Sequence, residues 1–139
     1  MDDDSIRYLN TDLDLCCDDD LTSLTAELES SGATPLHVTL SEDARWYATV
    51  ETDRQHVEPE ANIAELLTAI ESLSSSSRSI WNRCSLREFN LGYDCGLKPW
   101  AFNQGLSAEL LARIAAAGVS LRVTLYPHRP EERGDEAGG

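Results

Sequence analysis

Residues 7–16 read RYLNTDLDLC, and their alternation decides the fold. Leu9, Thr11, Leu13 and Leu15 fall on one side; Asn10, Asp12 and Asp14 fall on the other. A period of two marks a strand with one buried face. A strand buried on both faces would be apolar throughout. Working outward, Asp18, Asp19 and Asp20 offer an N-cap and negative charge where a helix dipole favours it. Leu21, Leu24 and Leu28 then share a helical stripe, and Gly32 stands where a helix ends. Alternation returns at 36–41, with Leu36, Val38 and Leu40 expected inward against His37, Thr39 and Ser41. The link SEDAR leads to 45–52, where Trp46, Ala48 and Val50 oppose Tyr47, Thr49 and Glu51, so these two runs read as a hairpin.

Pro59 suits a first helical turn, and Ile63, Leu66, Leu67, Ile70 and Leu73 keep a 3.6-residue period. The run SLSSSSRS, 72–79, reads as a linker, because serine competes for backbone hydrogen bonds and has nothing to bury. Residues 86–95 alternate again, with Phe89, Leu91 and Tyr93 against Glu88, Asn90 and Asp94. GLKPWAFNQG is a loop; Ser107 caps a helix bearing Leu110, Leu111, Ile114 and Ala115, closed by Gly118. LRVTLY, 121–126, is the last strand.

The two ends echo each other. Leu9-Asn10-x-x-x-Asp14 recurs as Phe89-Asn90-x-x-x-Asp94, and LHVTL is answered by LRVTLY. Each copy reads strand–helix–strand, one supersecondary unit used twice. The order β-α-β-β-α-β-α-β with alternating strands predicts an α+β two-layer sandwich, a duplicated βαβ that is ferredoxin-like or a variant of it. Its helices are expected on one face of the sheet. The expected organisation is a flexible 1–6, a single domain over 7–127 and a disordered acidic tail over 128–139.

Charge narrows the function. Eleven Lys and Arg against 25 Asp and Glu give −14 over 139 residues. Direct nucleic-acid binding needs the opposite balance, as does docking on anionic lipid, so no nucleic-acid or membrane partner is expected. The N-terminus MDDDSIRYLN is acidic where a signal peptide is basic and then apolar. Four cysteines, at 16, 17, 84 and 95, follow no zinc spacing and read as reduced thiols in a cytoplasm.

The polar strand face gathers Asn10, Asp12, Asp14, His37, Tyr47, Glu51, Asn90, Asp94, Arg122 and Tyr126. With Trp100 and Phe102 of the 97–105 loop, these make up the candidate ligand or partner surface. Tryptophan and tyrosine dominate binding hot spots, and loops carry function. Trp46 and Trp81 read as core. The expectation is a non-enzymatic protein-interaction or regulatory module, binding a basic protein partner or forming a homodimer, with no cofactor, no metal and no catalytic residue. The first alternative is a small-ligand or divalent-metal-binding enzyme using Asp12, Asp14, His37 and Asp94, since hard cations take oxygen ligands. The second is an acidic nucleic-acid mimic, weakened because eight of the 25 acids lie in the first 20 residues. G-x-S-x-G, H-E-x-x-H and a phosphate-cradling glycine loop are all missing from the sequence.

LNTDLDL, LHVTL, WYATVET, EPEANIAELLTAIESL, REFNLGYDCG, PWAFNQGLS and LRVTLYP together resemble a family of small bacterial proteins known as a domain of unknown function. The likeness covers about residues 7–127. It implies a bacterial, cytoplasmic, single-domain α+β protein and assigns no catalytic residue.

Overall fold

The alternating run that opens the chain becomes the centre of the sheet. The computed structural model describes residues 4–128. It contains β1 (Arg7–Cys17), α1 (Thr22–Ser30), β2 (Ala33–Leu40), β3 (Trp46–Thr52), α2 (Pro59–Glu71), α3 (Ser75–Arg83), β4 (Leu86–Asp94), α4 (Ala108–Ala117) and β5 (Ser120–Tyr126). The five strands form one mixed sheet in the order β2-β3-β1-β4-β5. β1 is antiparallel to both β3 and β4, β2 is antiparallel to β3, and β4 runs parallel to β5. The fold is α+β in two layers, with the core between sheet and helices. Leu13, Leu15, Val50, Phe89 and Leu91 meet Leu24, Leu28, Ile63, Leu66, Leu67, Ile70 and Trp81 there.

Local chemistry explains where the helices start and stop. Pro59 occupies the first turn of α2, where its missing N–H costs nothing. The Ser107 hydroxyl accepts from Leu110 N at the head of α4, and Gly118 closes that helix with φ 73°. Only glycine takes that left-handed conformation cheaply.

Three expectations are corrected. The serine run is not a linker throughout, because 75–83 is the helix α3. Ser74 caps it by accepting from Ser77 N, and the Glu27 carboxylate of α1 gathers Ser74 N (2.9 Å), Ser74 Oγ (2.8 Å) and Ser77 Oγ (2.7 Å). Serine is a poor helix interior but a good cap, and buried Trp81 anchors the far end. Of the three β2 residues expected inward, Leu36, Val38 and Leu40, only Val38 packs against the core, while Ala33 at the head of the strand is buried in it. A register shift between Pro35 and His37 breaks the alternation, and Leu36 and Leu40 are exposed. β2 is an edge strand, the place where a proline is tolerated. Residues 4–6 are held in place rather than flexible. Leu97 N donates to Asp4 O, Ile6 N donates to Lys98 O, and Ser5 bridges Lys98. Gly96 makes that strap fit, since a Cβ there would stand 2.2 Å from Asp4 O. Of the expected tail, 128–139, only His128 lies within the described residues.

The two strand–helix–strand units differ in closure. β4 and β5 lie side by side over seven unbroken pairs, from Glu88↔Ser120 to Asp94↔Tyr126. β1 and β2 also run parallel, but β3 lies between them.

Candidate functional site

The outward side chains of β1, β3, β4 and β5 form a polar face whose groups chiefly satisfy one another. Asn10 Nδ2 donates to Asp12 Oδ1 at 2.9 Å and to Glu51 Oε1 at 3.5 Å. Thr49 donates to Asp14 (2.9 Å), Thr124 donates to Asn90 (2.7 Å), and Arg122 Nε donates to Glu88 (2.8 Å). Arg7 pairs with Asp94 at 3.1 Å, and Tyr47 donates to Asp43 at 2.6 Å. The Asp43 hydrogen bond pushes the Tyr47 phenol up to about 12. Asp12 is raised above the usual carboxylate range, first by burial and then by the charges of Asp14 and Glu51. Asn10, Asp12, Asp14, Glu51 and Asn90 are thus one neighbourhood, carrying a concentrated negative field.

The other sequence candidates lie elsewhere. Antiparallel register sets Asp14 opposite Glu88 and Asp94 opposite Arg7. Seven residues along a strand is roughly 20 Å, so Asp94 does not join Asp12 and Asp14. His37 is exposed on the edge strand, with Thr49 between it and Asp14 in register. It has no side-chain partner among the described residues. A general base needs a reactive group and an orienting group within reach, and His37 has neither. Among the described residues, no three His, Cys, Asp or Glu side chains are placed to hold a metal ion. Cys17 and Cys84 are buried thiols turned toward the same Ile80 carbonyl, at 3.8 and 3.5 Å, and burial pushes Cys84 up to about 12. Such thiols are poor nucleophiles.

The aromatic loop divides its two rings. Phe102 folds back edge-on to Tyr93, with centroids 5.6 Å apart, and lines an apolar cleft of about 360 Å³ with Leu91, Leu121, Val123 and Leu125. Trp100 projects outward and is 98% exposed. The loop beneath it is seated by the strap of residues 4–6 on one side. On the other, Glu60 accepts from Ser107 N and Oγ at 3.0 and 2.6 Å.

Comparison with protein-family models, curated proteins and solved structures finds no match. The reading of the surface therefore rests on its side chains.

One constellation has no local signature in the sequence. Buried Asn62 of α2 accepts from Tyr8 OH (2.7 Å) and Thr11 N (3.0 Å), and donates to Thr52 Oγ1 (3.1 Å). Thr52 in turn donates to Arg54 O at 2.7 Å. His56 and Arg54 both reach Glu65 Oε1, at 2.7 and 3.2 Å. Beside them opens a polar cleft of about 360 Å³ lined by Asn10, Glu51, Arg54, His56 and Asn62. The one hint was Thr11, a hydroxyl on the inward side of an otherwise leucine row. Thr11 and Tyr8 lie 51 and 54 residues from Asn62, beyond any local pattern.

Proposed function

We propose that this chain is a non-enzymatic protein-interaction or regulatory module that takes a basic partner through the 97–105 loop and the acidic side of its sheet. One observation carries the reading: a tryptophan, Trp100, stands almost wholly in solvent on a loop tied down at both ends. Tryptophan is among the residue types most enriched in binding hot spots, and an already ordered loop loses little entropy on binding. The charge of −14 and the cluster of Asp12, Asp14 and Glu51 would speed the approach of a cationic partner. The mutual hydrogen bonds of the polar face support a steering role for it, with contact energy concentrated at Trp100. No helix of the described residues is long and apolar enough to cross a membrane. The four free thiols support a reducing, cytoplasmic setting.

As to fold family, the parallel β1 and β2 flanking β3, with β4 on the other side of β1, support a ferredoxin-like core extended by α4 and β5. The motifs PWAFNQGLS and REFNLGYDCG support kinship with the bacterial family they resemble.

Selection of a random dodecapeptide library on the immobilised chain tests the proposal. Enriched peptides are expected to combine Lys or Arg with apolar residues, to lose binding as salt rises, and to bind Trp100→Ala at least tenfold more weakly. No enrichment, or equal binding by Trp100→Ala, refutes it. A second reading, a small-ligand site, is favoured by the polar cleft at Asn62. It calls for a ligand-induced rise in melting temperature that Arg54→Ala abolishes.

A further inference from the structure

The two edges of the sheet are built differently. The β2 edge carries Pro35 and a register break, both of which block the addition of another strand. The β5 edge carries neither. Its seven residues pair with β4 without interruption, and Pro127 comes only after the strand has ended. It also lacks the inward-pointing charge that guards many edges. On its helix side stands an apolar row, Leu121, Val123 and Leu125, which is 41%, 58% and 61% exposed and borders the cleft closed by Phe102.

From this we infer that β5 pairs antiparallel with β5 of a second copy of this chain, about a two-fold axis at Val123. The sequence SLRVTLY is self-complementary in that register. Val123 meets Val123, Leu121 meets Leu125, and Arg122 meets Thr124, so each side chain meets one on its own face of the sheet. A two-fold axis perpendicular to the sheet leaves the helices of both copies on the same side. The two apolar rows become one, closed and isologous.

Charge selects the second copy over a cationic strand. Although the chain is acidic overall, β5 holds one charged residue, Arg122, and no acid. This edge gives a basic partner nothing to pair with, and brings no carboxylates together when two copies meet. The exposed parts of Leu121, Val123, Leu125, Tyr126 and Phe102 come to about 500 Å² per copy, hence about 1,000 Å² for the pair. That is the lower end of specific interfaces, so the association is weak and reversible. Two bodies of charge −14 repel, and salt screens repulsion. The dimer must tighten as ionic strength rises, whereas binding of a basic partner must loosen.

Sedimentation velocity of the full chain, over a concentration series at low and high salt, tests the pairing. The expected result is a monomer–dimer equilibrium that shifts toward dimer with concentration and with salt. Val123→Lys sets like charges against each other on the axis and removes the dimer wherever the natural chain forms it. Where Val123→Lys fails to fold, Thr124→Glu decides. It faces Arg122 of the other copy twice and should tighten the dimer about fivefold. A monomer throughout, a dimer that weakens with salt, a dimer that a folded Val123→Lys retains, or a dimer that Thr124→Glu leaves unchanged or weakens overturns the inference.

Discussion

Replacing Asn62 by alanine is the sharpest test of how the sheet is joined to α2. The amide oxygen accepts from Thr11 N at 3.0 Å and from Tyr8 OH at 2.7 Å, and the amide nitrogen donates to Thr52 at 3.1 Å. These losses are unequal. Tyr8 OH retains its contact with Thr11 Oγ1, and Thr52 retains Arg54 O. The Thr11 backbone N–H, in a fully buried residue, has nowhere else to turn. One orphaned buried donor costs about 1–3 kcal/mol, and the two lost side-chain bonds add about 1 kcal/mol between them. A total of about 3 kcal/mol lowers Tm by about 10 °C in a domain of this size. Tyr8→Phe and Thr52→Val each orphan less and should cost about 1 kcal/mol. Urea unfolding followed by circular dichroism gives all three free energies on one scale. A loss under about 0.5 kcal/mol for Asn62→Ala, or a larger loss for Tyr8→Phe, would show that this network is not the joint.

Other expectations concern charge and packing. Burial and neighbouring carboxylates raise Asp12 in the folded state, so its ionised form destabilises the fold, and that penalty grows as pH climbs through its folded value. Asp12→Asn should therefore raise Tm at neutral pH. The gain should shrink as pH falls through the Asp12 pKa and vanish below the ordinary carboxylate range; an equal gain at all pH values would contradict the assignment. Arg122 neutralises Glu88, which faces Asp14 across the β1–β4 pair. Arg122→Ala should lower the midpoint of low-salt denaturation, and adding Glu88→Gln should recover most of the loss. Trp81 fills the core and donates to Ala117 O, so Trp81→Ala should cost about 3–5 kcal/mol. Trp100→Ala should move the unfolding midpoint by less than about 0.5 kcal/mol. Equal losses for these two variants would remove the distinction between core and display.

Legibility in the sequence followed burial. The central strands β1, β3 and β4 have a helix-covered face and a bare one, so alternation marked their existence and their inward sides, except at the start of β1, where a register shift between Tyr8 and Asn10 sets Tyr8 rather than Leu9 against the core. At β2 and β5 the same alternation promised burial that an edge position does not deliver, which is why Leu36, Leu40, Leu121 and Val123 are exposed. Helix α3 was hidden because its support is tertiary: Glu27 reaches 47 to 50 residues along the chain to cap a run that propensity disfavours. Within the candidate surface, shared face was legible but register was not. Asp94 therefore looked like a neighbour of Asp14 until β1 and β4 proved antiparallel. The polar cleft at Asn62 depends on an inward threonine meeting an asparagine from a distant helix, and no spacing rule reports that.

The proline and broken register of β2 also govern what an assembly of this sheet can become. A sheet that grows at both margins propagates without limit and ends as a fibre. With one margin blunted at Pro35, any joining along the other is complete after a single event, and concentration alone cannot drive the chain into filaments.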